Sequence, residues 1–157
     1  MKLAGMAVCG LALAAAALSA DAQDKRPGYG PSVNAAIAKM IAAGTFAECH
    51  KIGVNIAIAV VDPHGFLVYF ERMEDTQYAS MDIALGKARS AAMYRRPTRA
   101  FSEVINKAPA VATLPATFAS PGGVPLMVDG KVTGGVGVSG GTGDQDEQCA
   151  LAGIKSL

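Results

Sequence analysis

The chain predicts a single α/β domain of the α+β kind, a five-stranded and mainly antiparallel sheet flanked by helices. Three observations predict it. Short β-rich runs come in pairs joined by tight turns, Asp62-Pro63-His64-Gly65 and Asp129-Gly130, and such hairpins make neighbouring strands antiparallel. Segments with apolar residues at helical spacing stand before, between and after those pairs. Once an N-terminal export segment is set aside, about 135 residues remain; that is one ordinary domain, large enough to bury a core without help from a metal.

The export segment is the first element. Lys2 supplies a positive start, an apolar run extends from Leu3 through Leu18, and Ala20-Asp21-Ala22 places small residues where a signal peptidase reads. This order of charge, apolar stretch and small-x-small is that of a secretory signal peptide over residues 1–22, cleaved after Ala22 or, alternatively, after Ala20. A membrane anchor would need ~20 apolar residues, more than this run provides. After cleavage the chain is expected to be periplasmic or secreted, with no membrane attachment. Residues 23–31 read as a flexible leader, and 32–157 as the folded domain.

Ser32 is the expected N-cap of a first helix, with Val33, Ile37, Met40 and Ile41 on one face; Gly44 and Thr45 weaken its middle, and Gly53 suits its end. Val54 to Val61 follows as a strand with both faces buried: Val54, Ile56, Ile58 and Val60 on one side and alanines between them. After the first turn, Phe66 to Phe70 returns as its partner. Ser80 is expected to cap a second helix that Pro97 ends, and its Ala84, Ala88, Ala91 and Ala92 offer a small-residue face suited to close packing on a sheet. Thr98 to Ser120 is an irregular connection punctuated by Pro109 and Pro115, with a short helix near Phe101 to Lys107. Two or three strands follow, including Val124 to Val128 and Val132 to Val138, and a last helix spans Asp144 to Ile154.

Composition narrows the function. Fourteen basic and 13 acidic residues give a formal charge of +1, a balance that argues against nucleic acid as a partner. The charges are unevenly spread. Lys87, Arg89, Arg95, Arg96, Arg99 and Lys107 face only Glu103 in their stretch, while Asp144, Asp146 and Glu147 cluster near the end; these are either two solvated faces or a patch for an anion. Of three cysteines, Cys9 leaves with the signal. Cys49 and Cys149 remain in an oxidising compartment and are expected to form a disulfide, the alternative being two separate buried thiols. There is no CxxC and no HExxH, so no zinc site is readable.

Two motifs mislead. Gly135-Val136-Gly137-Val138-Ser139-Gly140 matches G-x-G-x-x-G, but only 17 residues follow Gly140, too few for the acidic second strand of a dinucleotide fold. Gly137, Ser139 and Gly141 imitate a nucleophile elbow, yet no histidine follows Ser139. The glycines call instead for close approach of backbone to a ligand or a neighbouring chain, or for a tight strand-to-helix corner. Backbone N–H groups there could also hold an anion. Arg72 and Lys87 form either salt bridges with Glu71, Glu74 or Asp82, or a cationic grip on a carboxylate. His50, at a helix end, and His64, at a turn tip, serve as cap and solvent-exposed side chain or as metal ligands. No catalytic constellation emerges, and whether the chain is an enzyme stays open.

From Ser32 to Gly153 the chain resembles the GlcG/HbpS-like haem-binding proteins, related to the C-terminal domain of PduO-type proteins. The marks are Ala59-Val60-Val61-Asp62-Pro63-His64-Gly65, Phe70-Glu71-Arg72-Met73-Glu74-Asp75, Ala84-Leu85-Gly86-Lys87-Ala88, Arg96-Pro97-Thr98, Gly122-Gly123-Val124-Pro125-Leu126, Asp129-Gly130 and the run from Gly135 to Gly141, with Asp146-Glu147 and Ala152-Gly153 behind. The chain departs from the family at Asp75, where a glycine is usual, and at His64, where a small residue is usual. The resemblance implies a profilin- or roadblock-like architecture, assembly into a homo-oligomer, and haem or a related tetrapyrrole as cofactor, in haem sensing, storage or breakdown. On that reading Arg72, Lys87, Gly122, Gly123, Ser139, Gly140 and Gly141 form the ligand pocket, the two cations neutralise propionates, and His50 or, after it, His64 is the axial candidate. Alternative functions are an accessory protein or enzyme for a small organic acid such as glycolate, and a structural oligomer without a ligand.

Overall fold

A computed structural model describes residues 26–157; the expected signal segment, residues 1–22, lies outside the described residues. The elements are α1 (Ala35–Lys51), β1 (Ala57–Val61), β2 (Leu67–Arg72), α2 (Ala79–Tyr94), α3 (Arg99–Ile105), a 3₁₀ helix (Pro109–Thr113), β3 (Gly123–Val128), β4 (Lys131–Ser139) and α4 (Gly143–Lys155). The strands form one antiparallel sheet in the order β2-β1-β4-β3. Among the described residues it has four strands, not the five expected. The two or three strands expected after the connection are two, β3 and β4, and the proline-bearing connection itself, expected to be irregular with a short helix, forms α3 and the 3₁₀ helix. Pro125 is tolerated because β3 is an edge strand.

The leader is less free than expected. From Gly28 it is tied to the start of β4: Val132 N–H donates to Gly28 O, Gly30 N–H to Val132 O and Val33 N–H to Thr133 O, each at 2.8 Å. Tyr29 makes a parallel bridge to Val132, past the last β1 pairing at Gly135. Two expected caps also shift. Asn34, not Ser32, caps α1 by accepting from Ile37 N–H, and Ser80 lies buried inside α2.

The core has two layers, one on each face of the sheet. Ile56, Ile58, Val60, Val136 and Val138 pack with Ala38, Ile41, Ala42 and Ala150 of α1 and α4. On the other face Ala57, Ala59 and Val61 meet Ala84, Ala88 and Ala92 of α2. Small residues set the spacing there: a Cβ on Gly137 would lie 2.0 Å from Ala84 O, and one on Gly135 2.4 Å from Ala88 O. The β4 glycines therefore serve the approach of a helix, not a dinucleotide.

On the opposite face, the residues that weaken α1 mark where α4 crosses it. A Cβ on Gly153 would lie 2.0 Å from Thr45 Oγ1, and one on Gly44 3.2 Å from Gly153 Cα. One turn further along, Cys49 and Cys149 are joined by a fully buried disulfide, as the cysteine count led one to expect, with 5.6 Å between Cα atoms.

Candidate functional site

Apart from Arg72, the residues expected to form a ligand pocket do come together, but around one another. Lys87 projects from α2 under the end of β4. Its ammonium donates to Asp146 Oδ2 at 2.7 Å and to Val138 O at 2.9 Å, and only 1% of the residue is exposed. Asp146, in the first turn of α4, is 2% exposed and also accepts from Gly141 N–H at 2.9 Å. Thr142 starts α4 with a capping box to Gln145, and this fixes the carboxylate beneath the corner. Burial pushes the Asp146 carboxyl up, opposed by its bond to Lys87, and pushes the Lys87 ammonium down, opposed by Asp146.

The glycines make room for this pair. A Cβ on Gly122 (φ 116°) would meet Lys87 Nζ at 2.9 Å and Asp146 Cβ at 2.7 Å; one on Gly123 would meet Lys87 O at 2.5 Å. Gly140 sits against Asn55 O, 2.1 Å from where its Cβ would be. Ser139 is buried and donates to Ser80 Oγ at 3.2 Å. The expectation that Lys87 grips a carboxylate of the ligand is thus corrected within this chain. Asp146 already matches its charge, and none of the expected salt-bridge partners does. Gly141 alone of the corner residues is exposed.

Arg72 shares this end of the sheet. Ala57 of β1 pairs with Arg72 on one side and with Ser139 on the other, so two strand spacings separate them, roughly 10 Å. Its side chain is exposed, however, with the guanidinium 5.4 Å from the centroid of the Tyr78 ring. It opens on a groove of about 520 Å³ that also includes Glu74, Asp75 and Gln77. Asp75 holds the left-handed φ of 59° at the position where a glycine is usual.

Two members of the basic stretch meet the acidic cluster: Lys87 pairs with Asp146, and Arg99 bonds both Asp144 and Glu147, which holds its guanidinium more firmly protonated than usual. Charges of α3 and α4 that look separate in sequence cancel across space.

The histidines lie apart. His50 is exposed in the last turn of α1. His64 tops the β1–β2 turn, which Asp62 organises: its Oδ1 accepts from His64 N–H and Phe66 N–H, each at 2.9 Å, and its Oδ2 faces His64 Nδ1 at 3.9 Å. Gly65 (φ 88°) lets α2 close on this turn, since its Cβ would lie 3.1 Å from Met93 Sδ and 3.3 Å from Arg89 Cγ. The result is a cleft of about 300 Å³ lined by Tyr29, Pro63, His64 and Met93. Sequence reasoning singled out His64 but missed Met93 and Tyr29, whose only signal is exposure that appears once α2 and the leader are placed.

Fold and site together define a class: single α+β domains in which an antiparallel sheet carries helices on both faces and a glycine-rich corner closes over a buried ion pair. The family model of the haem degrading protein HbpS-like family matches residues 33–155, and the chain belongs to the HbpS-like family. It is 43% identical to Protein GlcG of Escherichia coli K12 over 101 residues, covering 64% of this chain and 75% of that protein. The crystal structure of HbpS is similar, with a TM-score of 0.77 at 29% identity over 82% of this chain and 92% of that one. The crystal structure of a PduOC:heme complex shares the fold, with a TM-score of 0.74 at 24% identity over 80% of this chain and 95% of that one.

Proposed function

We propose that this chain is an exported haem-binding protein that takes part in haem sensing, storage or breakdown. The match of the HbpS-like family over residues 33–155 carries the reading. The solved PduOC:heme complex supports it, as a case of a tetrapyrrole bound on the same fold. The donor chemistry of the chain fits the group: imidazoles for iron, and guanidinium groups for propionates. Haem would supply the redox and oxygen chemistry when bound, and the part of this chain would be to hold it. Titration of the mature protein with haemin tests this. A saturable Soret shift at micromolar haem is the expected result, and its absence overturns the reading. Decay of that band with reductant and oxygen would assign breakdown; persistence would assign storage or sensing.

Export is proposed from the small-x-small pattern ending at Ala22 and is supported by the disulfide. Among the described residues no helix is long and apolar enough to cross a membrane. Intact mass of the protein recovered from the periplasm or medium should begin at Gln23 and show no free thiol.

A second reading, binding of a small organic acid such as glycolate, is favoured by the exposed Arg72 over Tyr78. Glu74 and Asp75 rim the same groove, so one small carboxylate suits it better than a large dianion. Glycolate and related hydroxy acids should then raise the melting temperature of the wild type but not of Arg72→Ala. Assembly into a homo-oligomer is also proposed. Met127, Val128 and Leu157 are exposed apolar residues lining a second cleft of about 380 Å³, a surface suited to a copy of the chain. Elution of the mature protein at monomer mass would remove this part.

A further inference from the structure

We infer that the groove between the end of β2 and the start of α2 binds an amino acid, a small ligand that carries an ammonium group as well as a carboxylate. This builds on the second reading above, a carboxylate at Arg72, and adds the chemistry of the ligand's other end.

The turn that makes the groove is fixed in place. β2 ends at Arg72 and α2 begins at Ala79. Between them Met73 N–H donates to Ile56 O, and the buried Thr76 donates its hydroxyl to Met73 O, each at 2.9 Å. Around this turn a groove of about 520 Å³ is lined by Arg72, Glu74, Asp75, Thr76, Gln77 and Tyr78. All of these but Thr76 are exposed, so a solute reaches them from water.

Opposite charges stand in this groove without meeting. Among the described residues Arg72, Glu74 and Asp75 form no ion pair, either with one another or with another side chain. Arg72 lies instead with its guanidinium 5.4 Å from the centroid of the Tyr78 ring. That contact steadies the cation, and no protein acceptor takes its N–H groups, which suit a carboxylate. A hydroxy acid would satisfy the arginine and bring nothing to the two acids. An ammonium group on the same small molecule supplies the cation they lack, and two acids against one arginine favour a ligand that brings positive charge. Asp75 sharpens the point. It holds a left-handed φ of 59°, a conformation that favours glycine, at the position where a glycine is usual. The second carboxylate on the rim is thus a feature of this chain.

The test uses matched pairs that differ in hydroxyl against ammonium: glycolate and glycine, lactate and alanine, γ-hydroxybutyrate and γ-aminobutyrate. Each is titrated by calorimetry into the mature wild type at low ionic strength. In at least one pair the amino member should bind about fivefold more tightly, the worth of one exposed ion pair, and the preference should shrink at high salt. Glu74→Gln and Asp75→Gly should each reduce the preference, and Arg72→Ala should weaken both members of a pair. The three side chains are exposed, and a thermal melt of each variant without ligand verifies that the fold is kept. Equal or tighter binding of the hydroxy member in every pair overturns the inference and leaves the organic-acid reading standing. Amino-acid binding that neither Arg72→Ala nor the double variant Glu74→Gln/Asp75→Gly weakens overturns this groove as the site. Amino-acid binding that those variants abolish, with no hydroxy acid bound by the wild type, removes the hydroxy-acid reading and upholds this one. A wild type that binds no member of any pair overturns both.

Discussion

Lys87 and Asp146 illustrate what happens to charges that folding takes out of water. Each costs desolvation, and each is tolerated because the other lies 2.7 Å away. Removing one partner should therefore be worse than removing both. Lys87→Met should destabilise by about 3–5 kcal/mol in urea unfolding, while Lys87→Met with Asp146→Leu should recover most of that loss. The pH dependence of the single variant follows from the same pair. Burial already pushes the Asp146 carboxyl up, and Lys87 is the main influence opposing it, ahead of the Gly141 and Gly140 N–H groups. With Lys87 gone, the folded chain holds a proton at Asp146 that the unfolded chain releases. Stability lost at neutral pH should then return as pH falls through the raised folded value. A deficit that is flat or deepens on acidification would show that Asp146 stays ionised. At this scale the sequence was legible in part: it marked Lys87 and, in an acidic cluster, Asp146, but the two are 59 residues apart and nothing local pairs them.

The elements were more legible, because hydrophobic periodicity and turn chemistry are local. Asp129 and Gly130 both take positive φ, 48° and 72°, as an Asp-Gly hairpin requires. The alternation of β1, with Ile58 and Val60 on one face and Ala57 and Ala59 on the other, foretold two different neighbours, and two different layers cover it. The alanine face of α2 was readable as a packing surface; that its partners are the glycines of β4 was not. Gly137→Ala should push α2 off the sheet and cost about 1–3 kcal/mol or more, read from the shift in denaturation midpoint. The α1–α4 crossing makes a parallel case. Gly44 and Thr45 look like defects of a helix when read along the chain, and become contact points once α4 lies across them. Replacing Cys49 and Cys149 together by alanine should lower stability by up to about 4–5 kcal/mol, the chain-entropy value for so long a loop. An unchanged melting temperature would mean that the crossing holds without the bond.

For the whole molecule, one domain on one sheet follows from length and from the order of hairpins and helices, and the family was recognisable from motifs spread along nearly all of it. The fifth strand was an overreading of the stretch after the connection, where two or three strands were expected and two, β3 and β4, are formed among the described residues. The two charge clusters illustrate the same limit from another side: a helix pattern tells which face is charged, not what that face meets. Arg99 meets Asp144 and Glu147, so neutralisation of these acids should make Arg99→Ala a mild, salt-sensitive change, checked by thermal melts at low and high ionic strength. The sequence by itself determined the hairpins, the helices, the pairing of Cys49 with Cys149 and the family, since each depends on near neighbours or on simple counting. The tertiary structure decided that Lys87 is buried while His64 stands open beside Met93. Burial and partner choice depend on which distant segments pack together, and neither spacing nor composition encodes that distance.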